Sequence, residues 1–68
     1  MQIEKLIVPK QEIKDKRESY SLTQAQAAAL LGVHKKTWEA WEYGTNPMRR
    51  YTMDAFISYV ENNNAAKD

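Results

Sequence analysis

The sequence predicts an all-α domain, a compact bundle of four or five short helices with a central helix-turn-helix and an extended N-terminal arm. Two observations predict it. Residues 22–44, LTQAQAAALLGVHKKTWEAWEYG, hold two short helical patterns joined by a glycine. On both sides lie segments whose apolar residues recur at helical spacing. Helices this short are marginal alone, so they must pack on one another.

The first helix of the pair has a start signal and a stop signal. Thr23 with Gln26 three residues later forms a capping box, in which each side chain satisfies the other's backbone N–H. Gly32 follows the last periodic residue, where a left-handed residue ends a helix. The apolar stripe between these signals consists of Ala27, Ala28 and Leu31.

The second helix begins at His34 or Lys35 and ends before Gly44. Trp38 and Trp41 lie three residues apart and therefore share a face. A tryptophan could stack on nucleic-acid bases, but aromatic pairs at helical spacing mostly bury apolar area. We therefore assign both tryptophans to the core, which turns the N-terminal half of this helix toward solvent.

The flanking segments complete the bundle. Residues 1–8 form an arm or a short strand with apolar Ile3, Leu6, Ile7 and Val8, and the central domain spans residues 9–61. Its first helix runs from Lys10 to about Ser19, and its last from about Arg49 or Tyr51 to Glu61. Residues 62–68 are a polar tail expected to fray. The predicted buried face of the last helix consists of Met53, Phe56, Ile57 and Val60.

Composition narrows the class of protein. With 68 residues and no cysteine, the chain is one small domain with neither disulfide nor thiolate metal site. No apolar run is long enough to span a bilayer, and the first ten residues do not resemble a signal peptide. There is no nucleophile paired with a base, no metal-ligand spacing and no phosphate loop. We expect no enzyme activity, metal, cofactor or small-molecule ligand, and a cytoplasmic location.

Charge is unevenly distributed although the formal net charge is only +1. Residues 10–50 carry more basic than acidic side chains, and residues 51–68 carry more acidic than basic ones. A basic centre with an acidic end is consistent with a nucleic-acid face opposite a solvated one.

Residues 22–44 resemble the lambda-repressor-like (Cro/CI, or XRE) helix-turn-helix family. The LTQ start, the small residue Ala28, the LGV turn and the final WExG pattern fall in register without a gap. The TWEAWEYG segment is similar to a Trp-rich subset among small phage and plasmid regulators. The resemblance covers about a third of the chain closely.

The resemblance implies which residues meet DNA bases. These are the outward positions in the N-terminal half of the second helix, His34, Lys35, Lys36, Thr37 and Ala40. Lysine can donate to guanine O6 and N7 or to a phosphate, and alanine can contact a thymine methyl. Lys and Ala stand where the family often has Gln or Arg, so strong direct readout is not expected.

The resemblance also implies phosphate contacts, which supply affinity without sequence information. The residues at those positions, including hydroxyl donors nearby, are Thr23, Gln24, Tyr43, Arg49, Arg50 and Tyr51. It further implies a structural ion pair between Arg17 and Glu42, the glutamate of the WE dipeptide. This pair would fix how the second helix lies on the preceding elements.

The sequence thus predicts a sequence-specific DNA-binding transcriptional regulator, a repressor that autoregulates a phage, plasmid or bacterial operon. It would bind an inverted repeat as a homodimer through the helix at about 34–43. The dimer contact would come from the N-terminal arm or from the last helix around Phe56 to Val60. The alternative is a protein-interaction module, such as an antitoxin-type helix-turn-helix protein. The basic residues at 35, 36, 49 and 50 favour the DNA-binding hypothesis.

Overall fold

The computed structural model describes residues 6–67, and side chains for residues 6–62. The fold is the predicted small all-α bundle, with four helices and one two-stranded sheet in the described part. The elements are β1 (Ile7–Val8), α1 (Lys10–Ser19), α2 (Gln24–Leu31), α3 (Lys35–Tyr43), β2 (Met48–Arg49) and α4 (Arg50–Lys67). Residues 1–5 of the predicted arm, including Ile3, and Asp68 of the tail lie outside the described residues.

The start of α2 is the predicted capping box. The hydroxyl oxygen of Thr23 accepts the backbone N–H of Gln26 at 3.1 Å. The side-chain carbonyl of Gln26 accepts the backbone N–H of Thr23 at 2.9 Å. Two of the N–H groups that a helix start leaves unpaired are therefore satisfied within the chain.

The end of α2 sets the angle of the helix-turn-helix. Gly32 is left-handed, with φ 73°, and its N–H donates to the carbonyl of Ala29 at 3.1 Å. The next N–H, that of Val33, reaches back to the carbonyl of Ala28 at 3.0 Å. This is a Schellman motif. The end of α1 forms a second Schellman motif, with Ser21, at φ 58°, in the position that glycine usually takes.

Three residues, from Gly32 to His34, separate α2 from α3, which fits a helix-turn-helix. His34 occupies the N-cap position of α3, and its carbonyl accepts the N–H groups of Thr37 and Trp38. The predicted helix end is also confirmed, since Gly44 is left-handed with φ 97°.

The sheet was only half predicted. β1 and β2 pair antiparallel, with Ile7 opposite Arg49 and Val8 opposite Met48. The sequence allowed a strand at β1, but at β2 it predicted only the start of the last helix, at about Arg49 or Tyr51. The side chains of Val8 and Met48 are buried, so the pair joins the segment before α1 to the segment before α4.

The core lies between α1, α2, α3 and the first half of α4. Trp38 is fully buried, and its ring centroid lies 4.8 Å from that of Phe56 on α4. Trp41 is only partly buried and packs edge-on against Trp38, with centroids 5.6 Å apart. The buried apolar residues are Val8, Ile13, Ala27, Ala28, Trp38, Met48, Met53, Phe56 and Val60.

One expectation about α4 was wrong. The helix ends at Lys67 and not at about Glu61, because the intervening residues include no glycine or proline to stop it. Phe56 and Val60 are 0% and 4% exposed, so these two side chains belong to the chain's own core. Tyr59, between them in the sequence, is 49% exposed, so a dimer contact through α4 stays a prediction.

Candidate nucleic-acid interface

The orientation of α3 follows from the side chains on its inner face. Trp38 anchors that face in the core, and Trp41 extends it toward the β1–α1 junction. The bulky residues therefore point inward. His34, Lys35 and Lys36, at the start of the helix, are exposed.

Glu42 holds α3 against both preceding helices. Its carboxylate accepts hydrogen bonds from Arg17 Nε at 2.5 Å and Arg17 Nη2 at 3.1 Å. It also accepts one from Trp38 Nε1 at 2.5 Å and one from Gln24 Nε2 at 3.3 Å. The third guanidinium nitrogen, Arg17 Nη1, donates to the carbonyl of Leu22 at 2.8 Å. The predicted ion pair is present and joins α1, α2 and α3.

The ionisation of Glu42 reflects this arrangement. Burial raises the pKa of its carboxyl, but hydrogen bonds from Arg17, Trp38 and Gln24, with the charge of Arg17, outweigh burial, so the pKa lies below its ordinary value. The hydrogen bond to Glu42 raises the pKa of Arg17. Side-chain exposure is 12% for Arg17 and 8% for Glu42, so the pair is largely shielded from solvent.

The predicted base-contacting residues differ in solvent exposure and in whether they have a partner within the chain. His34 and Lys36 are exposed. Lys35 Nζ lies 3.7 Å from the carboxylate of Glu39, one turn further along. Thr37 and Ala40 are half-buried. The lysine side chains are the longest of these, so their ammonium groups reach furthest from the helix.

An open depression of about 830 Å³ runs between α1, the start of α2 and the outer face of α3. Ala40, with its short side chain, forms part of its lining. The depression brings together predicted base-contacting and phosphate-contacting residues with others that were not predicted. Its lining consists of Lys14, Arg17, Gln24, Lys36, Glu39, Ala40, Glu42, Tyr43 and Thr45.

Gln24 and Thr23, both predicted to contact phosphate, already have partners within the chain. Gln24 donates to Glu42, and the Thr23 oxygen is the cap acceptor of α2. Tyr43 differs, since its side chain is 78% exposed at the rim of the depression.

The remaining predicted phosphate contacts lie elsewhere, around a smaller depression of about 440 Å³ that includes Leu6 and Asp54. Arg49 is exposed and Tyr51 is 74% exposed. Arg50 instead donates to both carboxylate oxygens of Glu12, at 2.7 and 3.3 Å. These hydrogen bonds lower the pKa of Glu12 and raise that of Arg50. Arg50 thus links α4 to α1.

Sequence reasoning missed three residues that line the main depression: Lys14, Glu39 and Thr45. A signal for Lys14 was present, because Lys10, Lys14 and Arg17 recur at the i, i+4, i+7 spacing of one helix face. A signal for Glu39 was its position one turn after Lys35. Thr45 follows the helix end and gives no such pattern.

Comparison of the chain with protein-family models, with curated proteins and with solved structures gave no match. In the described residues, no cluster of three or more His, Cys, Asp or Glu side chains is suited to hold a metal ion. No described helix is long and apolar enough to cross a membrane.

Proposed function

We propose that this chain is a sequence-specific double-stranded DNA-binding regulator of transcription, acting as a repressor of a phage, plasmid or bacterial operon. The observation that carries the proposal is the presentation of α3. Its inner face is fixed by Trp38 and by the Arg17–Glu42 pair, while its first turn exposes His34, Lys35 and Lys36.

This arrangement matches what a major groove requires. The groove of B-DNA is about 12 Å wide and admits one α-helix. A helix that enters the groove must expose short or polar side chains, and its opposite face must pack against the rest of the domain. In α3, the short side chain of Ala40 permits close approach of the helix to the base edges. Lys36 and Tyr43 provide hydrogen-bond donors on either side of it. The resemblance of residues 22–44 to lambda-repressor-like proteins supports the same proposal.

The lysines on α3 serve two roles in this proposal. An ammonium group can donate to guanine O6 and N7 in the groove, and it can also neutralise a phosphate at the edge. Because Lys35 lies near Glu39, Lys36 is the freer of the two lysines for a base contact. We expect moderate base discrimination from α3 and a large, salt-sensitive contribution from phosphates.

Replacing Lys35 and Lys36 together by Ala tests the proposal. The variant should retain the wild-type helical signal and unfolding midpoint, because both lysines are exposed. Its affinity for operator DNA should fall at least about thirtyfold, since two contacts worth about 1–3 kcal/mol each are lost. Lys16→Ala is the control, because it removes a charge from α1 at a position whose charge acts on Glu12. Unchanged DNA affinity, with binding to a protein partner instead, would favour the antitoxin-type alternative.

We further propose that two copies bind an inverted repeat whose half-sites lie about one helical turn, roughly 34 Å, apart. The molecule measures 39 × 26 × 19 Å, so two copies fit side by side at that spacing. Because Phe56 and Val60 belong to the core, we propose the N-terminal arm, and not the exposed side of α4 that includes Tyr59, as the dimer contact. Leu6 is its exposed apolar residue in the described part, at 46%. Sedimentation of wild type and Leu6→Glu checks this, because the variant should be monomeric.

The proposed role places the protein in the cytoplasm, where operator DNA is accessible. A reporter gene downstream of the bound site gives the sign of regulation, and repression is the expected result.

A further inference from the structure

The charges of α1 are divided between different sides of the helix. Lys10, Lys14 and Arg17 recur at i, i+4 and i+7 and lie toward α3. Glu12 is on another side, bound to Arg50 of α4. Asp15 accepts a hydrogen bond from Gln11 on the exposed side. Glu18, one turn after Lys14, places its carboxylate 3.9 Å from Arg17 Nη2. The edge of α1 beside α3 therefore carries three basic groups and one acidic group.

Two of these basic groups form no ion pair with another described side chain. Arg17 is paired with Glu42, but neither Lys10 nor Lys14 has a carboxylate within 4.0 Å among the described side chains. Two ammonium groups without an ion-pair partner among the described side chains, beside a depression with several hydrogen-bond donors, favour an anionic partner.

Both lysines lie beside the end of α3. The stem of Lys10 crosses Gly44 so closely that a methyl group at Gly44 would lie 3.1 Å from Lys10 Cδ and 3.7 Å from Nζ. Lys14 lines the main depression together with Tyr43, whose hydroxyl group adds a donor, and with Thr45, whose hydroxyl donates to the carbonyl of Ala40 at 3.4 Å. The basic edge of α1 is thus continuous with the outer face of α3.

We propose that Lys10 and Lys14 form a binding edge for the phosphates of the DNA strand that borders the groove occupied by α3. This inference rests on the proposed function. One turn of α1 separates the Cα atoms of Lys10 and Lys14 by about 6 Å along the helix axis, and their flexible side chains can adjust the separation of the ammonium groups. Successive phosphates advance about 3.4 Å along the duplex axis. Two lysines at this spacing can meet phosphates one or two nucleotides apart.

The number of counterions released on binding tests this edge without knowledge of the operator. The probe is a mixed-sequence 30-base-pair duplex, and affinity is measured from about 50 to about 200 mM salt. Each lost phosphate contact should reduce the slope of log affinity against log salt by about 0.9. Lys14→Gln and Lys10→Gln should each show this change and bind about tenfold more weakly at the lowest salt.

Lys16→Gln is the matched control, because it removes the same charge from the same helix at a position whose charge acts on Glu12. Its salt slope should stay at the wild-type value if position, and not net charge, decides the effect. Lys14→Arg should retain the wild-type slope, since arginine also neutralises a phosphate.

The outcomes separate the two proposals. If wild-type protein binds duplex DNA but Lys10→Gln and Lys14→Gln give the same slope as Lys16→Gln, the phosphate edge is refuted and the proposed function stands. If wild-type protein binds no duplex DNA at any salt, both fail. An unchanged unfolding midpoint for Lys14→Gln shows that its lower slope does not come from lost structure.

Discussion

At the residue scale, Glu42 determines how α3 lies on the rest of the bundle. Its carboxylate receives donors from Arg17 on α1, Gln24 on α2 and Trp38 on α3 itself. Removing two opposite charges from water is costly, and their attraction offsets much of that cost without exceeding it by a wide margin. The pair therefore contributes orientation more than net stability.

Replacing Arg17 by Met should lower the free energy of unfolding by about 3 kcal/mol, because Glu42 would stay buried with only Trp38 and Gln24 as donors. Replacing Arg17 by Met and Glu42 by Leu together should recover most of that loss, since no buried charge remains. DNA affinity should stay low in the double variant. Chemical denaturation and a DNA titration measure both effects, and wild-type folding and binding in Arg17→Met would refute the role of the pair.

Acid should destabilise the fold through the carboxylates of Glu42 and Glu12. Both have pKa values lowered in the folded state, Glu12 mainly by its hydrogen bonds with Arg50. A lowered folded pKa gives stability that is present above the unfolded value, about 4.3. That stability is lost as pH falls through the folded pKa.

Urea denaturation at about pH 6 and about pH 3.5 should therefore show a lower free energy of unfolding in acid. Glu42→Gln should flatten this dependence, whereas Glu61→Gln, at an exposed position of α4, should leave it as in wild type. An equal acid loss in Glu42→Gln and wild type would show that the pair does not cause the pH dependence.

The sequence predicted part of this residue-scale picture. The Arg17–Glu42 pair followed from the resemblance of residues 22–44 to a known family. The donations from Gln24 and Trp38 did not, because they depend on side-chain rotamers that spacing alone leaves open. The ion pair between Glu12 and Arg50 joins residues 38 positions apart and has no local signal.

At the scale of elements, the helix ends specify the helix-turn-helix. A capping box begins α2, and left-handed residues at 21, 32 and 44 end α1, α2 and α3. The capping box, Gly32 and Gly44 are local signals, so the sequence predicted both ends of α2 and the end of α3 within a residue. The end of α1 near Ser19 was also predicted correctly, but not from Ser21. β2 gave no such signal, because a two-residue strand has no periodicity and its partner lies about forty residues earlier.

Gly32→Ala should lower the free energy of unfolding by about 1 kcal/mol through backbone conformation alone. A side chain at Gly32 would meet no atom within 4 Å, so no steric clash contributes. Ser21→Gly is the opposite change and should raise stability by less than about 1 kcal/mol, since glycine also gains entropy in the unfolded chain. Thermal denaturation measures both, and a Gly32→Ala variant as stable as wild type would contradict this account of the turn.

At the scale of the whole molecule, α4 forms the support on which the helix-turn-helix rests. Phe56 packs against Trp38 of α3 and against Tyr20 beyond α1, with ring centroids 4.8 and 6.0 Å apart. The sequence predicted the buried face of α4 correctly. It did not predict that this face is fully used within one chain, because burial against α2, α3 and the sheet depends on tertiary packing.

This division of the molecule leaves α3 and the basic edge of α1 on one surface and the core contacts of α4 on another. The ammonium groups of Lys10, Lys14 and Lys36, none with an ion-pair partner among the described side chains, then lie around the outer face of α3. We propose that this surface binds duplex DNA. Sequence preference would come from α3, and salt-sensitive affinity from both helices.

The measurement that tests this central claim most directly is a binding titration on two duplexes of equal length and base composition, at about 50 and about 200 mM salt. One duplex comes from upstream of the protein's own gene, and the other is unrelated. Binding to the upstream duplex should be about a thousandfold tighter, at the low end of the range for specific sites, and affinity for both duplexes should fall as salt rises. Equal affinity for the two duplexes at both salt concentrations, or no binding to either, would contradict the claim.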